Sequence, residues 1–257
     1  MIRKAVNRAG YAIVRAPADI DPAILRTVDA VRPYTRTTQP RVIALCEAVR
    51  YLIAAGIEGD IVECGVWRGG SMLAAARTLV EAGDTSRTLW LYDTFEGMSE
   101  PTDVDRRAVD GATASELLAS PVHHNQVLAL ASLHDVEKTM ALSGYPATSL
   151  RYVVGKVEET LPNTVPDSIA LLRLDTDWYE STRDELAYLV PRMAPGAVLI
   201  IDDYGHWEGS RRAVDEYVQR ERPRLMLHRI DYAARIGVIA TGMPATSPVP
   251  VAASANS

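Results

Sequence analysis

The stretch LLRLDTDWYE, residues 171–180, begins as an apolar run and ends in acidic and polar residues. A short apolar run of this kind is typical of a strand that is buried on both faces in a parallel sheet. Asp175 and Asp177 come at the end of the run. Because open α/β sheets bind their ligands outside the carboxyl ends of the strands, acids at this point indicate a functional site.

Similar apolar runs alternate with helical patterns along the middle of the chain, which predicts a doubly wound α/β fold. The predicted strands are residues 60–64, 88–93, 150–155, 169–175 and 197–203. The predicted helices between and after them are residues 70–82, 133–143, 180–192 and 209–220.

Two further β-like runs follow, RLMLHRI at 224–230 and RIGVIAT at 235–241, and only DYAA separates them. So short a link suits an antiparallel hairpin and not a parallel crossover. We therefore predict a mostly parallel, seven-stranded Rossmann-like sheet with an antiparallel C-terminal hairpin, in a domain of residues 57–241. This arrangement resembles the sheet of class I methyltransferases.

Residues 1–56 precede this sheet, and we expect them to form an N-terminal helical or lid segment. A helix is predicted over residues 35–56, where Thr37 or Thr38 can cap it and Pro40 suits its first turn.

The basic start MIRKAVNRAGYAIVRA lacks the apolar core of a secretory signal. We interpret it as a surface helix that packs on the domain or on a second subunit of a homo-oligomer, and membrane-surface contact is the alternative.

A long insertion, residues 97–131, separates the second and third predicted strands. Connections of this length in compact domains are usually functional lids or mobile segments, so we predict a lid. The tail, residues 242–257, is rich in small residues and proline and has no periodicity, which predicts disorder.

Composition narrows the partners and the compartment. The 257 residues carry a net charge of −6 and no Lys/Arg-rich block, so we expect no nucleic-acid partner. Cys46 and Cys64 are the only cysteines and lie in apolar runs, as reduced thiols of a cytoplasmic protein do. No run reaches the roughly 18 apolar residues of a membrane-spanning helix.

The loop after the first predicted strand, in DIVECGVWRGGSM (60–72), is rich in glycine. Gly65, Gly69 and Gly70 would let a ligand approach the backbone, and the following helix N-terminus favours a carboxylate or phosphate. The dinucleotide fingerprint fails, because Val66 and Trp67 stand where a second glycine is needed. A tight turn without a ligand is the alternative.

Asp93 ends the second predicted strand in LYDTFEGM (91–98). An acid at this position can accept hydrogen bonds from a ribose diol, which indicates an adenosine-containing cofactor. Phe95 would either flank the adenine or belong to the core.

The fifth predicted strand also ends in acid, at Asp202 and Asp203. Adjacent parallel strands would bring these side chains to Asp175, and crowded carboxylates repel unless they are protonated or bind a cation. Oxygen ligands favour Mg²⁺, and Mn²⁺ or Ca²⁺ is the less favoured alternative. The alternative is three separate helix caps or surface acids.

Four motifs, VECGVWRGGSM, YDTFEGM, LRLDTDWYEST and IDDYGHWEGSRRAVDEY, resemble the macrocin O-methyltransferase (TylF/MycF) family over roughly residues 35–240. Members of that family depend on S-adenosyl-L-methionine and Mg²⁺ and methylate hydroxyls, typically on sugars of glycosylated natural products. The resemblance implies a class I methyltransferase with a small-molecule or glycan hydroxyl as acceptor.

The resemblance also implies roles for individual residues. It assigns the metal to Asp175, Asp202 and Asp203 and points to Asp177 as the general base. Catechol-type Mg²⁺ methyltransferases carry a lysine base three residues after the first metal aspartate, but that position here is Trp178. His206 is therefore a second candidate base, unless it is ordinary polar surface, and activation mostly by the metal is the further alternative. The predicted cofactor contacts are Thr37, Glu63, Cys64, Gly65, Val66, Trp67, Ser71, Asp93 and Thr94.

Three alternatives to sugar methylation stay open at this point. A phenolic or catechol-type acceptor would use the same machinery. An NAD-dependent oxidoreductase would share the doubly wound sheet, although the incomplete glycine fingerprint and the clustered aspartates count against it. A non-catalytic protein built on a methyltransferase sheet would have no need of three metal-binding aspartates.

Overall fold

Seven strands form a single sheet in the structure, a computed structural model that describes residues 18–240 apart from the side chains of residues 125 and 126. The strands are β1 (Asp60–Cys64), β2 (Leu89–Asp93), β3 (Leu150–Val154), β4 (Ile169–Leu174), β5 (Met193–Ile201), β6 (His228–Arg229) and β7 (Arg235–Val238). Their order is β3-β2-β1-β4-β5-β7-β6. The first five strands are parallel and the β5–β7 and β6–β7 pairs are antiparallel, which confirms the predicted fold class.

Helices cover both faces of this sheet. They are α1 (Pro22–Val31), α2 (Gln39–Ala54), α3 (Gly70–Ala82), α4 (Ala114–Ala119), α5 (His124–Leu128), α6 (Leu133–Ala141), α7 (Val157–Thr160), α8 (Tyr179–Leu189) and α9 (Glu208–Glu221). Side chains of α1, α2, α3 and α6 share one hydrophobic cluster with the sheet. Side chains of α7, α8 and α9 share a second cluster on the opposite face. The N-terminal helices thus belong to the same core as the sheet.

Strand β4 lies in the middle of the sheet, and all six of its residues are buried. Its apolar residues pack against helices on both faces, as expected for a central parallel strand. One residue breaks the apolar pattern: Arg173, which pairs in register with Glu63 of β1. Leu172 and Leu174 belong to the cluster on the α8 side, so Arg173 points toward the face that α2 covers.

Several predicted boundaries were wrong. The helix predicted from residue 35 begins at Gln39, because Arg32–Tyr34 form a 3₁₀ turn and residues 35–37 line a cavity. Thr38 is the N-cap residue, but its hydroxyl donates to Asp231 at 2.8 Å and makes no capping bond.

The helices predicted over 133–143 and 180–192 end earlier, at Ala141 and Leu189. Pro191 follows in a 3₁₀ turn, since its ring cannot continue the α-helical hydrogen bonds.

The predictions for the two ends of the chain concern residues that the structure does not describe. The basic start at residues 1–16 and the tail at residues 242–257 lie outside the described residues. Within residues 18–240, no helix combines the length and apolar character needed to cross a membrane.

Candidate active site

A cavity of about 380 Å³ opens at the edge of the sheet where β1, β2, β4 and β5 end. Twelve of the predicted site residues line it: Thr37, Gly65, Val66, Trp67, Ser71, Asp93, Thr94, Asp175, Asp177, Asp202, Asp203 and His206. The fold therefore brings the predicted metal ligands and most of the predicted cofactor contacts to one place.

Three carboxylates converge in this cavity. Asp175, Asp202 and Asp203 each offer an oxygen atom, and these atoms lie within 4.8 Å of one another. Asp202 and Asp203 are buried, whereas the Asp175 side chain is 28% exposed toward the cavity. Removal from water, together with the neighbouring negative charges, raises the pKa of Asp175 and of Asp203 well above the ordinary aspartate value. These three carboxylates therefore need nearby positive charge to remain ionised.

Two buried arginines partly offset this negative charge. Arg173 contacts the Asp175 carboxylate at 2.7 Å and the Asp202 carboxylate at 2.7 Å. Arg41, from α2, donates to the other oxygen of Asp202 and contacts Asp231 at 2.7 Å. Each oxygen of Asp202 thus receives a guanidinium hydrogen bond, which fixes the orientation of its carboxylate.

The glycine-containing loop after β1 crosses the end of β4 closely. Gly65 has φ +82°, and a Cβ atom there would lie 2.0 Å from the carbonyl oxygen of Asp175. Only glycine allows this approach. Gly69 also has φ +82° and is the N-cap residue of α3. The two glycines hold the loop as part of the cavity wall.

Asp93 holds this loop through both of its carboxylate oxygens. One oxygen accepts hydrogen bonds from the backbone amides of Val66 at 2.8 Å and Trp67 at 2.9 Å. The other accepts from the amide of Phe95 at 2.8 Å. Burial raises the pKa of Asp93 although these amides favour its charged form. Phe95 itself is buried in the core and packs edge-on against Tyr152, which resolves the alternative left open for it.

Hydroxyl groups line the wall between the loop and the acidic cluster. The Thr37 hydroxyl accepts a hydrogen bond from Arg173 at 3.0 Å and lies 3.5 Å from the hydroxyl of Ser71. Thr94 donates to the carbonyl oxygen of Gly97 at 2.5 Å. These contacts fix the positions of three hydroxyl-bearing residues that line the cavity.

Glu63 and Cys64 do not line the cavity, although both were predicted to contact a cofactor. Glu63 lies behind the wall, where one carboxylate oxygen accepts from Arg173 at 2.5 Å and the other has no hydrogen-bond partner among the described residues. Burial raises the pKa of Glu63 to about 7. The Cys64 side chain is buried in the hydrophobic cluster beside α8. Direct cofactor contacts by these residues stay a prediction.

The two candidate bases, Asp177 and His206, both line the cavity beside the acidic cluster. Asp177 has the left-handed φ of +68°, and its amide donates to Asp203 at 3.3 Å. Burial and the neighbouring Asp175 raise the pKa of Asp177 to about 7. Burial lowers the pKa of His206, whose Nδ1 lies 3.4 Å from the Tyr232 hydroxyl. Both side chains line the cavity, so each can receive a proton from a bound hydroxyl.

A family model for the macrocin O-methyltransferases (TylF) matches residues 21–236 of this chain. The chain belongs to this family. It is therefore an O-methyltransferase.

Named relatives and a solved structure agree with this assignment. The chain is 38% identical over 199 residues to 8-demethyl-8-(2,3-dimethoxy-alpha-L-rhamnosyl)-tetracenomycin-C 4′-O-methyltransferase of Streptomyces olivaceus, covering 77% of this chain and 73% of the relative. It is 33% identical over 189 residues to mycinamicin III 3″-O-methyltransferase of Micromonospora griseorubida, covering 73% and 71%. The solved structure of the O-methyltransferase NovP superposes with a TM-score of 0.69 at 31% identity, covering 81% of this chain and 83% of that one.

The predicted lid of this macrocin O-methyltransferase family member is partly anchored. Asp105 is fully buried and accepts a hydrogen bond from the amide of Tyr179 at 2.8 Å. Arg107 pairs with Trp207 in an isolated β-bridge, and the amide of Ala108 donates to the carbonyl oxygen of His206 at 2.8 Å. The later part of the insertion contributes Leu117, His123, Val127 and Ala129 to the cavity wall. Movement of the insertion stays a prediction.

Two tryptophans attach the insertion to the sheet in this enzyme. Trp178 is 2% exposed and packs edge-on against Trp207 with ring centroids 4.9 Å apart. Its indole N–H donates to the carbonyl oxygen of Ser99 at 3.0 Å. Trp178 is therefore a core residue, and it occupies the position at which a catechol-type enzyme has its lysine.

The sequence did not identify several residues in or next to this site, namely Arg41, Asp105, Arg173 and Glu185. Glu185 is buried on α8 and accepts a hydrogen bond from Thr176, between Asp175 and Asp177, at 2.8 Å. The one available signal was Arg173, a charged residue inside the apolar run IALLRLD. The partners of the others are distant in sequence, and no local pattern identifies them.

Proposed function

We propose that this enzyme transfers a methyl group from S-adenosyl-L-methionine to a sugar hydroxyl of a glycosylated natural product, with Mg²⁺ held by Asp175, Asp202 and Asp203. The observation that carries the proposal is the convergence of these carboxylates in the cavity that the glycine-containing loop also lines. The relatives named for a rhamnosyl tetracenomycin and for mycinamicin III support a sugar-bearing acceptor.

The acidic cluster fits a divalent cation. Its donors are carboxylate oxygens, which Mg²⁺ prefers, and they lie within 4.8 Å of one another. The three carboxylates of Asp175, Asp202 and Asp203 outnumber the guanidinium groups of Arg41 and Arg173 that contact this cluster. A bound cation would offset the remaining repulsion, lower the pKa of an acceptor hydroxyl and orient it.

The other half of the cavity fits the cofactor. Gly65 and Ser71 lie where β1 passes into α3, and Asp93 and Thr94 lie at the end of β2. We infer that the loop held by Asp93 supports the cofactor from the cavity wall and that the end of β2 faces the ribose. When bound, S-adenosyl-L-methionine supplies an activated methyl group on its sulfonium.

The chain itself must orient the acceptor and remove its proton. Asp177 is suited to this task, because it lies two residues from Asp175 and its backbone is held by Asp203. We infer that the Asp177 carboxylate accepts the proton of the acceptor hydroxyl as the oxygen attacks the methyl group. His206 is the second candidate.

Phenolic acceptors remain the alternative substrate class, since the same donors would orient two neighbouring phenolic hydroxyls. The named relatives favour a sugar. The membership in an O-methyltransferase family counts against the oxidoreductase and non-catalytic alternatives.

The decisive experiment is methyl transfer from labelled S-adenosyl-L-methionine to rhamnosylated polyketides and, in parallel, to simple catechols. We expect product with a glycoside only, loss of activity in excess EDTA, and recovery with Mg²⁺. Asp202→Asn, which removes charge at nearly constant shape, should lose activity while still binding S-adenosylhomocysteine. Turnover that persists unchanged in excess EDTA would exclude the metal, and turnover of catechols alone would exclude the sugar acceptor.

A further inference from the structure

Arg173 is a buried charged residue at the centre of the sheet, next to the end of β4. Its side chain is 3% exposed and forms ion pairs with three acids from three strand regions. A buried arginine is costly to desolvate, and it is tolerated only when its donors are well paired.

The two terminal nitrogens of Arg173 make four hydrogen bonds. Nη1 donates to Glu63 at 2.5 Å and to Asp175 at 2.7 Å. Nη2 donates to Asp202 at 2.7 Å and to the Thr37 hydroxyl at 3.0 Å. One planar group therefore joins β1, the end of β4, the end of β5 and the segment before α2.

We propose that Arg173 is a positioning residue that holds the Asp175 and Asp202 carboxylates at the spacing required by the cation, an inference that rests on the proposed Mg²⁺ site. Two neighbouring carboxylates repel each other and would rotate apart without a shared partner. Arg173 binds one oxygen of each, and no group within residues 18–240 donates a hydrogen bond to the second oxygen of Asp175. That oxygen is free to bind a metal.

Glu63 has a matching part in this arrangement. Glu63 accepts a hydrogen bond from Nη1 of Arg173 and lies behind the cavity wall. It therefore fixes the guanidinium from the side opposite the cavity. Glu63 thus influences the site through Arg173, and its direct contact with a cofactor is not required.

An electrostatic effect of Arg173 and a positioning role predict opposite changes in metal affinity, so an experiment can distinguish the two. The positive charge of Arg173 repels a cation, so Coulomb's law alone predicts tighter metal binding when that charge is removed. Positioning predicts weaker binding when the planar fork is replaced. Lysine keeps the charge but offers a single nitrogen, which cannot span the acceptors that two nitrogens reach in arginine.

The test is the dissociation constant for Mn²⁺, measured by calorimetry on the full chain without cofactor or acceptor. We expect Arg173→Lys to weaken Mn²⁺ binding about 10–100-fold, the usual effect of losing a partner of metal ligands. Arg87→Lys is the matched control, because Arg87 is 10% exposed, contacts Asp84 at 2.8 Å and does not line the cavity. The control should lower the melting temperature and leave the Mn²⁺ constant unchanged.

A second variant covers the case in which Arg173→Lys does not fold. The double substitution Arg173→Met with Glu63→Leu removes one positive and one negative charge, so the net charge of the site is unchanged. Replacing a buried ion pair with apolar residues is often tolerated. We expect this variant to keep S-adenosylhomocysteine binding better than Mn²⁺ binding.

Each outcome has a distinct meaning. Wild-type Mn²⁺ affinity in whichever variant folds would overturn the positioning role of Arg173 but leave the metal site standing. Absence of Mn²⁺ binding in the wild-type enzyme would instead overturn the proposed metal dependence. Weaker Mn²⁺ binding in Arg173→Lys, with an unchanged constant in Arg87→Lys, would support the inference.

Discussion

The buried carboxylate of Asp105, in the insertion, accepts a hydrogen bond from the backbone amide of Tyr179, in the first turn of α8, at 2.8 Å. Its other oxygen accepts from the amide of Thr102 at 2.7 Å and from the Thr102 hydroxyl at 2.8 Å. A Cβ atom on Gly209, in the first turn of α9, would lie 2.0 Å from Asp105. Asp105 therefore joins the insertion to the helices that follow both acidic strand ends.

Replacing Asp105 should destabilise the protein. Asp105→Ala leaves the amides of Thr102 and Tyr179 without acceptors, so we expect a loss of about 1–3 kcal/mol in the free energy of unfolding. Urea denaturation followed by circular dichroism measures this loss. Asp103→Ala is the control, because Asp103 is exposed and two residues away. Equal stability of the two variants would show that the anchor is unimportant.

Asp93 should be required for cofactor binding. Asp93→Asn replaces one acceptor oxygen with a donor that cannot pair with the amides it faces, either those of Val66 and Trp67 or that of Phe95. We expect S-adenosylhomocysteine to bind more weakly by about 1.5–3 kcal/mol, measured by calorimetry.

Asp60 provides the control for Asp93, since it accepts from Thr88 and Trp90 at the opposite end of the sheet. Asp60→Asn should destabilise the protein and leave the dissociation constant for S-adenosylhomocysteine unchanged. An unaltered constant in Asp93→Asn would refute its role in holding the loop.

Substitutions of Asp177 and Asp175 should have different effects on turnover and on metal binding. Asp177→Asn should reduce single-turnover methyl transfer by about 10²–10⁴-fold, the usual cost of losing a general base. Binding of Mn²⁺ and S-adenosylhomocysteine should remain, whereas Asp175→Asn should lose Mn²⁺ binding as well as rate. Near-normal turnover of Asp177→Asn would transfer the base role to His206 or to activation by the cation alone.

Glu185 should make stability depend on pH. Burial raises its pKa from 4.5 to about 8, although a hydrogen bond from Thr176 favours the charged form; the other carboxylate oxygen has no partner within residues 18–240. Between these two values the folded protein keeps a proton that the unfolded chain has released. The free energy of unfolding should therefore fall as pH rises from 4.5 to about 8.

Glu185→Gln should remove this dependence, since glutamine stays neutral. We expect the free energy of unfolding of Glu185→Gln, relative to that of the wild-type protein, to increase by about 1 kcal/mol per pH unit across that range. Urea denaturation at several pH values measures this difference. Glu180→Gln is the control, because the Glu180 side chain on the same helix is 42% exposed. Parallel curves for wild type and Glu185→Gln would contradict the prediction.

The sequence was sufficient for the sheet and for much of the site, for a physical reason that particular residues illustrate. A central parallel strand is buried on both faces, so the run ending at Leu174 must be largely apolar. Such a strand can be recognised from its own residues, without knowledge of the strands beside it. Parallel strands end at a common edge, so Asp175, Asp202 and Asp203 could be placed together from their positions in two separate runs.

Other features of the site depend on contacts between segments that are far apart in the chain. Arg173 meets Glu63 across 110 positions, and Arg41 meets Asp202 across 161. The apolar run around Arg173 indicates that this arginine is buried, but nothing in the local sequence identifies its partners or distinguishes Arg41 from a solvent-exposed arginine. Pairing depends on register and on the packing of α2 over the sheet. The positions of Glu63 and Cys64 behind the cavity wall were decided in the same way.

Local patterns in the sequence therefore determined the doubly wound fold, the antiparallel hairpin and the edge at which the acids gather. They could do so because strand burial, turn length and chain direction are set by neighbouring residues. The tertiary structure alone decided which charges neutralise which carboxylates, where the insertion is anchored through Asp105, and which predicted contacts reach the cavity. These outcomes follow from side chains that meet only after the helices have packed on the sheet.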